Sequence, residues 1–208
     1  MKKHFFLPLL AVIALAGTIT ACGTTRVNRV DAGTVIDLSG RWNDTDVRQV
    51  SQSLINDCLN SPRVAEFIRE YRAANNGRRP AALVGTFRNE SSEHIDTAIL
   101  ARAMEAAIVN SGMMDFVAGG DTLAQIRDER QDQLLFTNPE TMAALANETG
   151  AILLLTGTVT SIVDRAGRTT VRSYFVNAEL TNIETRTRLW MGSNDEIKKE
   201  IRQPRARL

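Results

Sequence analysis

Apolar residues at Val47, Val50, Leu54 and Cys58, with Ile55 beside them, recur at helical spacing, and Asp44-Thr45-Asp46 offers N-cap chemistry just before them. Ser61-Pro62 restarts the chain, with serine as cap and proline at the first helical position. Val64, Phe67, Ile68 and Tyr71 are the apolar face of that second helix, and Asn75-Asn76-Gly77 ends it. Pro80 then opens a buried-strand signal over residues 81–87, followed by a polar loop at 88–92 in which Ser91 or Ser92 could cap the next helix. Ile95, Ile99, Ala103 and Ala107 give that helix its face, Leu100 and Ile108 widen it, and Ser111-Gly112 stops it.

The second half changes period. Residues 113–118 read as a short strand, 121–133 as a charged helical connection, and Asn138-Pro139 caps a helix carrying Met142, Leu145 and Ala146, closed by Gly150. Residues 151–163 are the strongest strand signal: Ile152 to Leu155 are apolar on both faces, as in a central strand, and the remainder alternates. Residues 164–168 form a hairpin turn into 170–180, where Tyr174, Val176, Ala178 and Leu180 share one face. A further turn over 181–187 leads into 188–192, with Trp190 expected to pack inward; the charged tail after Lys198 is expected to fray. Alternating strands and helices followed by hairpins predict an α/β fold, a mixed parallel/antiparallel sheet flanked by helices.

The first residues tell a different story. Lys2 and Lys3 precede an apolar run from Phe5 to Ala16, and Ile19-Thr20-Ala21-Cys22 follows, a basic, apolar and small-residue order that describes a secretory signal. The cysteine after the small residue resembles a bacterial lipobox, which makes Cys22 the lipidated residue; the alternative is an ordinary signal peptide with Cys22 incidental. Acyl chains contribute about 0.8 kcal/mol per buried CH2, enough in combination to hold a domain on a bilayer. Gly23 follows Cys22, without an aspartate of the kind that retains some lipoproteins at the inner membrane, so the expected location is the periplasmic face of the outer membrane. The organisation expected is a signal peptide at 1–21, lipid anchor and short tether at 22–40, and a single α/β domain at 41–208. At about 3.3–3.6 Å per residue the tether reaches about 60 Å at most.

Composition narrows the chemistry. The chain of 208 residues carries 25 Lys and Arg against 24 Asp and Glu, a net +1, with no basic block interleaved with aromatics, so nucleic acid is not an expected partner. If Cys22 is acylated, Cys58 has no partner for a disulfide, and its place on an apolar helix face reads as a buried small hydrophobe rather than a reactive thiol. His94, the one histidine beyond the signal, sits at a helix start and reads as a solvated cap-region residue rather than a base. Gly119-Gly120 reads as a strand-to-helix turn rather than a phosphate cradle, and Asp128, Glu129 and Asp132 as a solvated helix face broken by Arg127 and Arg130. There is no Cys-x-x-Cys, Gly-x-Ser-x-Gly, Ser-x-x-Lys or Walker-type loop, so neither an enzyme, a metal, a cofactor nor a small-molecule substrate is expected.

The stretch Leu38-Ser39-Gly40-Arg41-Trp42-Asn43-Asp44-Thr45-Asp46 resembles the opening signature of LpoB-type penicillin-binding-protein activator lipoproteins. Gly85-Thr86-Phe87-Arg88-Asn89, Ser111-Gly112-Met113, Glu148-Thr149-Gly150-Ala151 and Leu189-Trp190-Met191-Gly192 extend the likeness in order, over residues 22 to about 195. The resemblance implies a fold like the N-terminal domain of TolB, and an outer-membrane lipoprotein that binds a bifunctional penicillin-binding protein and stimulates its peptidoglycan synthesis. Well-known members carry a long proline-rich linker where this chain has a short tether without proline. Arg41 and Trp42, within the signature, are the candidate partner-binding residues, because Trp and Arg are the side chains most enriched at binding hot spots. Trp42 has a second reading, as a staple that fastens the end of the tether to the core. The alternative function is a structural or secretion-assembly envelope lipoprotein of similar fold. A secretion pore would need amphipathic barrel strands, and the long hairpin over 159–180 has its stripe broken by Arg165, Arg168 and Arg172.

Overall fold

The computed structural model describes residues 27–31, 33–117 and 149–203. The chain divides into a unit of residues 1–34 and a unit of residues 35–208. In the first, the Asp31 carboxylate accepts from the Gly33 N–H at 2.7 Å and its carbonyl from Thr34 N–H at 3.0 Å, a small Asx turn.

The second unit runs α1 (Asp44–Asn60), α2 (Pro62–Ala74), β1 (Ala81–Asn89), α3 (Thr97–Ser111), β2 (Asp115–Phe116), β3 (Leu153–Ala166), β4 (Thr169–Asn182), β5 (Arg188–Asn194) and β6 (Lys198–Arg202). The sheet order is β2-β1-β3-β4-β5, with β6 also on β4. β1 pairs in parallel with β2 and β3, and β4 pairs antiparallel with β3, β5 and β6, which is the mixed sheet the alternation predicts. β5 covers Val176–Thr181 of β4 and β6 covers Thr169–Ser173, so the two lie end to end along one edge.

Each helix is fixed by local chemistry that differs in detail from the expectation. α1 is capped by Asn43, not from within Asp44–Asp46: its Oδ1 accepts from Thr45 and Asp46 N–H at 3.0 and 3.1 Å, while Asp46 Oδ2 accepts from Asn43 N–H at 2.9 Å. This reciprocal capping box leaves Asp46 in the first turn, where the helix dipole favours a carboxylate. Ser61 makes no side-chain cap bond; it is extended, as a residue before proline prefers. α3 begins at Thr97 under an Asp96 cap rather than at Ser91 or Ser92, with buried Ile95 and Leu100 at the spacing of a hydrophobic staple. Its buried stripe is Leu100, Ala101, Met104 and Ile108, whereas Ile99 is 55% exposed. The expected face was rotated because this helix is apolar on most sides.

β2 is shorter than the segment predicted at 113–118. β6 corrects the frayed tail. Lys199 and Ile201 alternate with Lys198, Glu200 and Arg202, and the strand is registered on β4 from Ser173 to Thr169. The helix predicted at 121–133, the Gly119-Gly120 turn, the carboxylates Asp128, Glu129 and Asp132, and most of the helix from Asn138 lie outside the described residues, as does Cys22.

α1 packs on α3 and β5, and α3 on β1, over a core whose largest fully buried side chains include Tyr174, Phe87, Leu54 and Leu100. Cys58 is part of this core, and burial beside the Asp57 carboxylate pushes its thiol up to about 12. The thiol is therefore neutral in the folded protein at mildly alkaline pH. Because the folded value is raised, this contribution to stability is present below the ordinary thiol range and fades as pH rises toward about 12. Mass spectrometry of alkylated peptides is expected to show Cys58 labelled at least about a hundredfold more slowly in the native protein than in denaturant. Equal rates would place the thiol at the surface.

Candidate functional site

The β3–β4 hairpin extends beyond the described helices, and its outer residues are partly or fully exposed. On the helix-bearing face, Val159 and Val176 are cross-strand partners and fully buried, and Ser161 faces Tyr174 one step outward. Two-residue alternation then brings Val163 opposite Arg172 and Arg165 opposite Thr170 on that same face. The face that is hydrophobic core at one end of the sheet is thus cationic at the other. Gly167 closes the hairpin with φ 59° at the first of two loop positions, the requirement of a type II′ turn. Arg168 follows it at the tip.

Two segments wall this cationic end. The first is the loop from Glu90 to Asp96. Asn89 braces it by accepting from Ser91 N–H at 3.0 Å and donating to the Glu93 carbonyl at 2.7 Å. Ser92 N–H reaches across to Ser161 Oγ at 3.2 Å. The loop so held aims Glu93 inward, where its carboxylate forms an ion pair with the Arg172 guanidinium; their side chains are 10% and 14% exposed. Glu93 Oε2 also accepts from the Tyr174 hydroxyl at 2.9 Å and from Trp42 N–H at 3.5 Å. Burial raises the Tyr174 pKa, an effect that the neighbouring Arg172 charge opposes, so the phenol stays a donor.

The second wall is the turn preceding α1, which β6 holds down. Lys199 Nζ donates to Asp37 Oδ1 at 2.6 Å, Asp46 Oδ2 at 2.6 Å and the Arg41 carbonyl at 3.0 Å, using all three ammonium protons. The hydrogen bond from Lys199 keeps Asp37 below the ordinary carboxylate range. Gly40, at φ 65°, lies where a Cβ would fall on the Ile201 side chain, so the turn passes closer to β6 than another residue allows.

Between the walls lie two adjoining hollows of 590 and 680 Å³ that share Arg41, Arg165 and Arg172. The first adds Ser92, Glu93 and His94; the second adds Arg168, Thr170 and Gln203. Their lining carries four arginines against one carboxylate, Glu93, which is engaged by Arg172. Among the described residues, Arg41, Arg165 and Arg168 have no ion-pair partner. The concavity can hold and orient negative charge. Among the described residues there is no group of three or more side chains suited to a metal ion, and no helix long and apolar enough to cross a membrane.

The two candidate residues named from sequence are adjacent in the chain but differently placed. Arg41 is exposed and opens onto both hollows. Trp42 is half-buried against the core, its ring edge-on to Tyr174 at 5.3 Å and 62°. His94 lies in the loop before α3 and lines one hollow. Sequence reasoning missed Arg165, Arg168, Arg172 and Glu93 as a group. Counting outward by twos from Tyr174 gives Arg172 and Thr170, a signal that was available in β4.

A family model described as peptidoglycan-synthase activator LpoB matches residues 46–196. Among solved structures, the LpoB C-terminal domain from Escherichia coli is 17% identical, with 76% of this chain and 99% of that chain covered at a TM-score of 0.50, a likeness of fold. The NMR structure of E. coli LpoB (14% identity, 89% and 86% covered, TM-score 0.47) and the C-terminal domain from Salmonella enterica (14%, 65% and 93%, 0.39) also align. No curated protein sequence matches the chain.

Proposed function

The chain belongs to the LpoB family of peptidoglycan-synthase activators, and from that premise we propose that it is an outer-membrane lipoprotein, anchored through Cys22, that binds and stimulates a bifunctional penicillin-binding protein. The observation that carries this reading is the family match, which runs from the first turn of α1 to the end of β5. An activator needs no reacting groups of its own. It needs a surface that binds one conformation of the target better than another, and a difference of about 1.4 kcal/mol shifts that equilibrium tenfold.

The anchor is tested by labelling cells with a fatty-acid analogue. Label is expected in the wild type and absent from Cys22→Ser, and equal incorporation in both would contradict the lipid anchor.

We assign the synthase contact to Arg41 and Trp42, in unequal roles. Arg41 presents its guanidinium freely at the rim of the concavity, while Trp42 sets the turn by packing on Tyr174. Pull-down of the synthase from envelope membranes is expected to fall about tenfold or more for Arg41→Ala, with an unchanged melting temperature. Trp42→Ala is expected to lose stability as well, by about 1–3 kcal/mol, because an aromatic partner of the core is removed. Wild-type binding by Arg41→Ala would move the contact elsewhere.

A further inference from the structure

Among the described residues, Arg41, Arg165 and Arg168 line one concavity without an ion-pair partner, and like charges so gathered repel one another. Arg165 and Arg168 are exposed on the hairpin and Arg41 on the facing turn, and none of them belongs to the core. What unites them is the concavity they line. Its hollows, 590 and 680 Å³, fall within the range of sites that enclose small ligands or short peptide segments. The planar guanidinium fork matches a carboxylate bidentately. A lone phosphate is commonly met by backbone N–H groups converging at a helix N-terminus or nest. Here no residue of the lining begins a helix, and the positive charges are spread along the cleft on opposite walls. Ser39, Thr170 and Gln203 between them add hydrogen-bonding groups of the kind that suit a peptide backbone.

We propose that this concavity binds a peptide segment bearing at least two free carboxylates, held by Arg41, Arg165 and Arg168. Such a segment has two sources: an acidic stretch of the synthase, which rests on the activator reading above, or a free acidic peptide of the cell envelope, which does not.

Calorimetric titration of the purified protein with a tetraglutamate peptide, and with tetraglutamine as the uncharged control, tests the site. Tetraglutamate is expected to bind and tetraglutamine not to, with affinity falling as salt is raised. The double variant Arg165→Gln/Arg168→Gln and the single variant Arg41→Gln are expected to keep the wild-type melting temperature. The double variant is expected to bind at least about tenfold more weakly, while Arg69→Gln, on α2, binds as the wild type does. No detectable tetraglutamate binding by the wild type at low salt, or equal binding by the double variant, would overturn the proposal. A second arm measures synthase binding by the double variant, because Arg41 is already assigned to the synthase contact. A parallel loss identifies the acidic segment as the synthase's, and retained synthase binding identifies a free peptide. If the wild type fails to bind the synthase at all, the activator reading falls while the titration still decides the site.

Discussion

Replacing Trp190 by alanine is expected to lower the unfolding free energy by about 3–5 kcal/mol, a large share of the roughly 5–15 kcal/mol typical of a domain. The indole is 7% exposed on β5, beside Leu180 of β4, and packs within the core that α1 and α3 cover. Its Nε1–H donates to Asp57 Oδ2 at 2.8 Å, so the ring also ties β5 to the last turns of α1. Truncation therefore leaves a cavity and strips a carboxylate of its donor. The more conservative Trp190→Phe keeps most of the apolar volume and loses the hydrogen bond, with an expected cost of about 1–3 kcal/mol. Denaturant midpoints at unchanged slope measure both. A loss below about half a kcal/mol in Trp190→Ala would contradict the packing described.

Lys199→Met is expected to cost about 3–5 kcal/mol, a magnitude that usually belongs to core truncations. Methionine preserves the aliphatic stem and removes the ammonium, which leaves Asp46, whose side chain is 6% exposed, without its cation. Asp37, at 43% exposed, is screened by solvent and contributes less. Its carboxylate has a depressed folded-state pKa, so its share of stability is present at neutral pH. That share is lost as pH falls below the ordinary carboxylate range toward the folded value. Hydrogen exchange should reveal the second consequence: amides of residues 37–46 open more readily in the variant, because Lys199 is what fastens that segment to β6. A cost under about 1 kcal/mol, with unchanged exchange, would reduce the network to a surface ion pair.

These two residues also show what a sequence can and cannot disclose. Trp190 sits in an apolar run on a late strand, and its inward direction follows from that pattern alone. α1 was legible for the same reason: Val47, Val50, Leu54, Ile55 and Cys58 are all buried as their spacing requires. α3 was legible in existence and end, marked by Gly112, but not in phase, because isoleucines and alanines surround it and periodicity cannot choose among them. Lys199 was not legible. It stands in a charged tail whose composition suggests solvent, and its partners Asp37 and Asp46 lie 162 and 153 positions away in the chain. Only strand pairing onto β4 brings them together. The arginine concavity was half legible. Arg41 was singled out by its neighbour and its motif, whereas Arg165 and Arg172 looked like interruptions of a hydrophobic stripe. They lie beyond the described helices, where that stripe ceases to be core.

Glycan-strand polymerisation by the bifunctional synthase of the same organism tests most directly the proposal that this chain activates a peptidoglycan synthase. Addition of the purified protein is expected to raise the polymerisation rate in a saturable manner, and Arg41→Ala is expected to shift that saturation to higher concentration. A wild-type protein that neither binds the synthase nor changes its rate would contradict the account.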